Sequence, residues 1–232
     1  MIKYDFHIHS CLSPCADDDM TPANIAGMSF IAGLGAIAVT DHNSFLNAAA
    51  SHAACKEYGI KYLFGTEVCS DEEIHILCFF KDGENLDTFC RKLEESTLKF
   101  PNDPSIYGNQ LAVDEKDNVT GKVDYMLITS CGMSSYEIIN LCRDTGGISF
   151  WAHIDKNSYS VISVLGSLPT DFCADGVEIH DLSKRQKLID DGYITENTPF
   201  ISDSDAHTLG DIGQKENYID SSHILYRYIQ SG

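Results

Sequence analysis

The sequence predicts an α/β fold in which seven strands alternate with helices. Short apolar runs of strand length recur along the chain, and most are separated by segments with helix start and stop signals. Histidines and carboxylates also collect at or just after those runs, where parallel barrels place their functional groups.

Taken in order, the first strand covers 2–9. Thr21 then offers an N-cap, with Pro22 at the first helical position, for a helix over 22–33. A strand at 35–41 leads to a helix over 44–58 that starts from Asn43 or Ser44 and stops at Gly59. Strands follow at 61–69 and 74–80. A helix over 134–145 ends at Gly146-Gly147 and feeds a strand at 147–154. The last two strands, 175–180 and 199–205, flank a helix over 184–191 that stops at Gly192. This alternation implies parallel strands joined by crossover helices.

One segment breaks the rhythm. Within a connection spanning about 81–130, residues 99–126 hold Pro101, Pro104, Gly108 and Gly121 among acidic and amide residues. Leu111–Asp114 and Val119–Tyr125 can pair as a hairpin around Glu115-Lys116-Asp117-Asn118. The plain reading is a surface excursion; a long connection can also serve as a lid.

At 232 residues and 43% hydrophobic content, the chain can bury a full core as one domain, 1–232. A formal charge of −19 argues against a nucleic-acid or anionic-membrane partner, because counterion release needs a basic track. A small partner fits better, and bound divalent ions would offset part of the charge. The nine cysteines are odd in number and scattered, several in apolar patterns such as Ile76-Leu77-Cys78-Phe79-Phe80. With no signal peptide or membrane-length apolar run, the expectation is a cytoplasmic protein with free thiols.

The most telling motif is Asp5-Phe6-His7-Ile8-His9-Ser10, since histidines two apart on a strand share a face. Ser202-Asp203-Ser204-Asp205-Ala206-His207 repeats that geometry with Asp205 and His207. Between them stand Thr40-Asp41-His42, Gly65-Thr66-Glu67, Glu73-Ile74-His75 and Trp151-Ala152-His153. Together they read as a polynuclear metal site. All lie at or near strand C-termini except His7, Glu67 and His75, which would point inward from within their strands.

On these residues the chain resembles the polymerase-and-histidinol-phosphatase (PHP) family of metal-dependent phosphoesterases, nearly from end to end, with 81–130 least alike. The resemblance implies a distorted seven-stranded (β/α) barrel with two or three divalent metals. It implies that His7, His9 and Asp205 bind one ion, that Glu67 bridges it to a second completed by His75 and His153, and that His42 and His207 hold a third. The remaining ligand of the third ion has two candidates. Asp17 lies five residues before Pro22, as the family's Asp-Gly-x-x-x-Pro spacing has it, whereas counting forward from His9 reaches Cys15. The spacing to Pro22 favours Asp17.

Imidazole and carboxylate donors suit zinc, manganese or iron alike. Two such ions can share a hydroxide and clamp the attacking and leaving oxygens of an in-line displacement. The expected activity is therefore phosphoester hydrolysis of a small phosphorylated metabolite or nucleotide, with a nuclease, a non-catalytic metal-binding module or an amidohydrolase as rivals. Asp41 would accept a bond from a ligand imidazole, and Asp203 faces with Asp205. His180 ends the sixth strand and could touch substrate or act as an acid. Lys156, with Lys184 and Arg185 as alternates, could meet the phosphate. His52, within a helix, and His223, in a C-terminal helix, read as surface or packing residues.

Overall fold

The computed structural model describes residues 1–170 and 174–229; Cys173 lies outside the described residues. Its strands are β1 (Ile2–Ile8), β2 (Ala36–Val39), β3 (Lys61–Tyr62), β4 (Phe64–Cys69), β5 (His75–Phe80), β6 (Leu111–Val113), β7 (Val119–Lys122), β8 (Ile148–Trp151), β9 (Gly176–Glu178), β10 (Phe200–Ile201) and β11 (Tyr218–Ile219). The helices are α1 (Pro22–Ile31), α2 (Ala48–Glu57), α3 (Gly83–Ser96), α4 (Pro104–Tyr107), α5 (Ser135–Asp144), α6 (Val161–Leu165) and α7 (Arg185–Asp190). All seven expected strands form, with 61–69 broken at Leu63 into β3 and β4.

They do not close into one barrel ladder. One sheet has the order β11-β1-β2-β3 and a second β10-β9-β8-β5-β4. Single parallel bridges, Ile8 with Ala206 and His42 with Glu67, link strand ends across the two seams. The expectation of parallel strands fails at one place that matters. β5 runs antiparallel to both β4 and β8. Residues 70–74 turn the chain back directly, so no crossover helix intervenes. This reversal puts His75, the first residue of β5, opposite Cys69, the last of β4. His75 therefore reaches the same rim as the C-terminal ends of the parallel strands.

Strand alternation divides the core in two. Ile37, Val39, Val68, Ile76, Cys78 and Phe80 join the larger cluster, which includes the helix residues Ile25, Ala54, Phe89 and Ile138. Ala36, Ala38, Leu77, Phe79, Phe150 and Ile201 form a smaller cluster with Tyr4 and Phe6. On β5 His75 alternates onto the same face as Leu77 and Phe79, so an apolar plug lies directly beneath the polar rim.

α3 lies in the 81–130 connection, ahead of the excursion at 99–126, and is a regular part of the core. Asp82 caps it by accepting from the Asn85 N–H (2.9 Å), and Leu86, Phe89, Cys90 and Leu93 are buried at helical spacing. The hairpin β6–β7 forms as expected and packs on the loop after β1. Leu111 N–H donates to the Cys11 carbonyl (2.7 Å), and Asp117 accepts from Thr21 Oγ1 (2.5 Å) and the Ala23 N–H (3.2 Å) at the start of α1.

His223 is a packing residue, as expected. Its Nδ1 accepts from the Leu225 N–H (3.2 Å) and its Nε2–H donates to the Phe200 carbonyl (3.1 Å), fixing the last 3₁₀ turn, Ile224–Tyr228. Burial lowers its pKa, partly opposed by the Phe200 carbonyl. The unfolded chain thus takes up the proton more readily, so this contribution to stability is full above the ordinary value near 6.5 and declines as pH falls below it. The protection factor of the Leu225 amide should fall between pH 7 and pH 5 more than those of amides in β5. Equal pH dependence in the two places would contradict this role.

Candidate metal centre

Glu67 is buried within β4, and imidazoles surround it. Its Oε1 lies 3.3 Å from His7 Nε2, 2.9 Å from His75 Nδ1 and 3.2 Å from His153 Nε2. Its Oε2 lies 3.4 Å from His9 Nε2 and 3.2 Å from His42 Nδ1. Asp205 stands opposite, with Oδ1 3.3 Å from Nε2 of both His7 and His9, and Oδ2 paired with Lys156. His207 stacks on His9 with ring centroids 4.5 Å apart. The strand rims thus bring together His7, His9, His42, Glu67, His75, His153, Asp205 and His207. A small cavity of about 150 Å³ opens on this group, lined also by Cys15, Lys156, Ile128 and Tyr159.

Two of these residues sit in unusual backbone conformations: His153 has φ 28° and Asp205 φ 54°. Left-handed backbone at a non-glycine residue is sparsely populated and persists where its surroundings hold it. Glu178 supplies that hold at His153 by accepting its N–H (2.8 Å), while the Ile154 N–H donates to the Glu178 carbonyl (2.9 Å).

Glu178 is the functional residue that sequence reasoning missed. It is fully buried, and its carboxylate accepts from His7 Nδ1–H at 3.0 and 3.1 Å, which fixes the His7 tautomer and aims Nε2 at Glu67 and Asp205. The available signal was a carboxylate inside the apolar run Val177-Glu178-Ile179. The expectation fell on its neighbour His180, which does not line the cavity. The His180 N–H instead donates to Asp155 Oδ1 (2.7 Å), and its carbonyl accepts from Lys215.

Asp41 orients a ligand one step further away than expected. It accepts from the Ser10 N–H (2.7 Å), Ser10 Oγ (2.6 Å) and Ser13 Oγ (2.7 Å), and Ser13 Oγ in turn accepts from His9 Nδ1–H (3.0 Å). The relay leaves His9 Nε2 facing the cluster. Asp203 does not face Asp205; it accepts the Phe6 N–H (2.6 Å). Arg185 is removed from the cavity, pairing with Glu196 (3.1 Å) and lying over the Phe200 ring. Lys184 pairs with Asp155 (3.3 Å), which leaves Lys156 as the cation at the cavity.

Asp17 is the other correction. Its N–H donates to the His207 carbonyl (3.0 Å), but its side chain is exposed and absent from the donor groups. Cys15 occupies the expected position instead, grouped with His9, His42 and His207.

The electrostatics suit cations. Burial opposes charge on Glu67, but His75, His7 and His42 overcome it and hold the carboxyl well below the usual range. Burial likewise opposes ionisation of Asp205 and is outweighed by His7 and His9. Burial also works against a proton on His9, yet Asp205 and Glu67 raise its pKa to about 9. Burial and the charge of His9 push His42 well down and His207 to about 4, so those rings are neutral donors.

Divalent metals fit these residues. The donor atoms of His7, His9 and Glu67, and of His42, Glu67 and His75, lie within 4.8 Å of one another in each group. His42 Nδ1, His75 Nε2 and His153 Nδ1 are buried without hydrogen-bond partners. The nitrogens that face Glu67, His75 Nδ1 and His153 Nε2, are the ones placed to bind such an ion.

A family model for the PHP domain matches residues 5–149, more than half of the sequence. The chain belongs to the PHP family. Metal-dependent phosphoesterases of this family hydrolyse phosphoester bonds. A 5'-3' exoribonuclease of Haemophilus influenzae is 31% identical over 78 residues, which is 32% of this chain and 27% of that protein. A lesion-specific endonuclease of Pyrococcus furiosus shares the fold at 17% identity and a TM-score of 0.64, over 92% of this chain and 50% of its own. The PHP chain thus spans half or less of both proteins. Two structures of matching length share the fold throughout. One, described as a metal-dependent phosphoesterase, is from Bifidobacterium adolescentis (20% identity, TM-score 0.64, 97% and 96% coverage). The other, an amidohydrolase of Chromobacterium violaceum, has 19% identity, a TM-score of 0.61 and coverage of 99% and 98%. Two of these four relatives are nucleases, so the argument from net charge against nucleic acid finds no support among them.

Glu178→Gln should leave the fold intact and weaken metal binding by about 10- to 100-fold, because His7 would lose its charged acceptor. Titration against a competing chelator measures this, with circular dichroism as the folding check. Unchanged affinity would show that Glu178 only packs.

Proposed function

We propose that this PHP protein is a metal-dependent phosphomonoesterase acting on a small phosphorylated metabolite or nucleotide. The observation that carries the proposal is the convergence of five imidazoles and Asp205 on Glu67 at the floor of a cavity of about 150 Å³. Such a space is on the scale of a phosphoryl group, so the rest of a substrate would remain outside it. His7, His9 and Asp205 would hold one ion, Glu67, His75 and His153 a second, and His42 and His207 would contribute to a third. Two or three divalent ions, zinc, manganese or iron, would lower the pKa of a shared water and balance phosphate charge.

The chain's own groups do the positioning. Glu178 and the Ser13–Asp41 relay fix the tautomers of His7 and His9. Lys156 keeps its proton: burial works against the charge, but Asp205 beside it raises the pKa. It can therefore pair with a non-bridging phosphate oxygen at the mouth. Ile128 and Tyr159 line the cavity beside it.

A second reading, hydrolysis at the end of a nucleic acid, is favoured by the relative described as an exoribonuclease. The excess of acidic residues weighs toward the small substrate. The eight free cysteines among the described residues support a reducing, cytoplasmic setting. No helix among the described residues is long and apolar enough to cross a membrane.

A panel of phosphomonoesters and short oligonucleotides separates the readings. Inorganic phosphate should be released from monoesters, and in isotopically labelled water the label should enter phosphate and not the alcohol. Oligonucleotide shortening without monoester turnover would overturn the proposal in favour of a nuclease, and label in the alcohol would exclude attack at phosphorus. Lys156→Met should lower kcat/KM on the order of 100-fold. His52→Ala, which removes a ring stacked on Tyr62, should leave it near wild type.

A further inference from the structure

We propose that Tyr159, with Ile128, is a stacking surface at the rim of the cavity, and that it selects phosphomonoesters whose alcohol part carries a planar aromatic ring. The inference rests on the phosphomonoesterase reading and narrows it from any small phosphorylated substrate to this class.

Tyr159 has its backbone in the left-handed region, with φ 54°. A bulky residue is rare there and persists only where its surroundings hold it. His75 supplies the hold. Its N–H donates to the Tyr159 carbonyl (2.9 Å), and the two rings stack with centroids 4.7 Å apart and planes 23° from parallel. The loop bearing Tyr159 is tied down as well. The Lys156 N–H donates to the His153 carbonyl (2.9 Å), and Ser160 Oγ donates to the Lys156 carbonyl (2.7 Å). The ring is therefore fixed, yet Tyr159 lines the cavity and remains 46% exposed. An aromatic ring held rigid and left open beside a reaction cavity is preorganised to receive a second ring.

Ile128 is held with equal care. Asn43, the neighbour of His42, donates through Nδ2 to the carbonyls of Leu127 and Thr129, both at 2.7 Å, and accepts the Cys69 N–H at Oδ1 (3.2 Å). One amide thus pins the backbone on either side of Ile128, which lines the same cavity. With the phosphoryl group filling about 150 Å³, the alcohol part must leave the cavity past its rim. A neutral ring meets these apolar side chains without repulsion, whereas further negative charge would oppose a chain of formal charge −19.

Binding of two phosphonates, which cannot be hydrolysed, tests the assignment without relying on activity. Calorimetry on the zinc-loaded protein should find phenylphosphonate bound more tightly than methylphosphonate by on the order of tenfold. That ratio should fall toward one in Tyr159→Leu and be kept in Tyr159→Phe. An equal loss of affinity for both probes in Tyr159→Leu would show that the ring only supports His75, and would overturn the proposal. So would a wild type with no preference. Should Tyr159→Leu fail to fold, Tyr159→Gly takes its place, because glycine suits φ 54°.

Turnover then distinguishes the source of the ring. Tyr159→Leu should lower kcat/KM for phenyl phosphate or for a nucleoside monophosphate about tenfold more than for glycerol phosphate. An excess loss on the phenyl ester places the ring at the ester oxygen, and one on the nucleotide places it beyond a sugar. Equal losses on all three would overturn the proposal and leave the phosphomonoesterase reading standing. No phosphate from any of them in the wild type would overturn both.

Discussion

Glu67 sets the constraint on which the rest of the molecule depends. A carboxylate buried beside five imidazoles is tolerable only if each ring keeps its place, because charge in a low-dielectric interior is costly when unpaired. The strands answer that demand from several directions. β1 supplies His7 and, one residue past its end, His9; the turn after β2 supplies His42, and the reversed β5 supplies His75 from its first residue. The His42–Glu67 bridge ties two of these pieces at a sheet seam, while the Ile8–Ala206 bridge draws the Asp205 loop to β1.

Around this cluster lies a layer of fixed acceptors. Glu178 binds the ring of His7 and the backbone of His153, so one buried carboxylate governs two residues of the cluster. Asp41 works through Ser13 on His9. The left-handed residues His153 and Asp205 carry backbone strain of order 1–3 kcal/mol each. At His153 the Glu178 carboxylate, bonded to the N–H, holds that backbone in place. Loop 10–18, pinned by Gly108 and the β6–β7 hairpin, finishes the wall.

Much of this was legible from residues alone. His-x-His, Asp-x-His and the isolated histidines at strand ends stand out because imidazole and carboxylate rarely interrupt apolar runs without a partner. The reversal of β5 was hidden, since alternating hydrophobicity reads the same in either strand direction. α3 was hidden by its position between a strand and a proline-rich segment, although Leu86, Phe89, Cys90 and Leu93 carry helical spacing. Asp17 was favoured by a spacing rule, whereas the turns after Ser10 place Cys15, and not Asp17, at the cavity. Glu178 and Ser13 act through contacts 171 and 4 residues distant in sequence, and neither carries a motif of its own.

The central claim is that Glu67 bridges metal ions held by these rings. Anomalous diffraction from crystals grown with zinc or manganese tests it most directly. The account predicts at least two ions about 3.5–4 Å apart, with one Glu67 oxygen on each and His7, His9, His75, His153 and Asp205 completing their shells. A single ion, or none within bonding distance of Glu67 while the histidines keep their present arrangement, would contradict it.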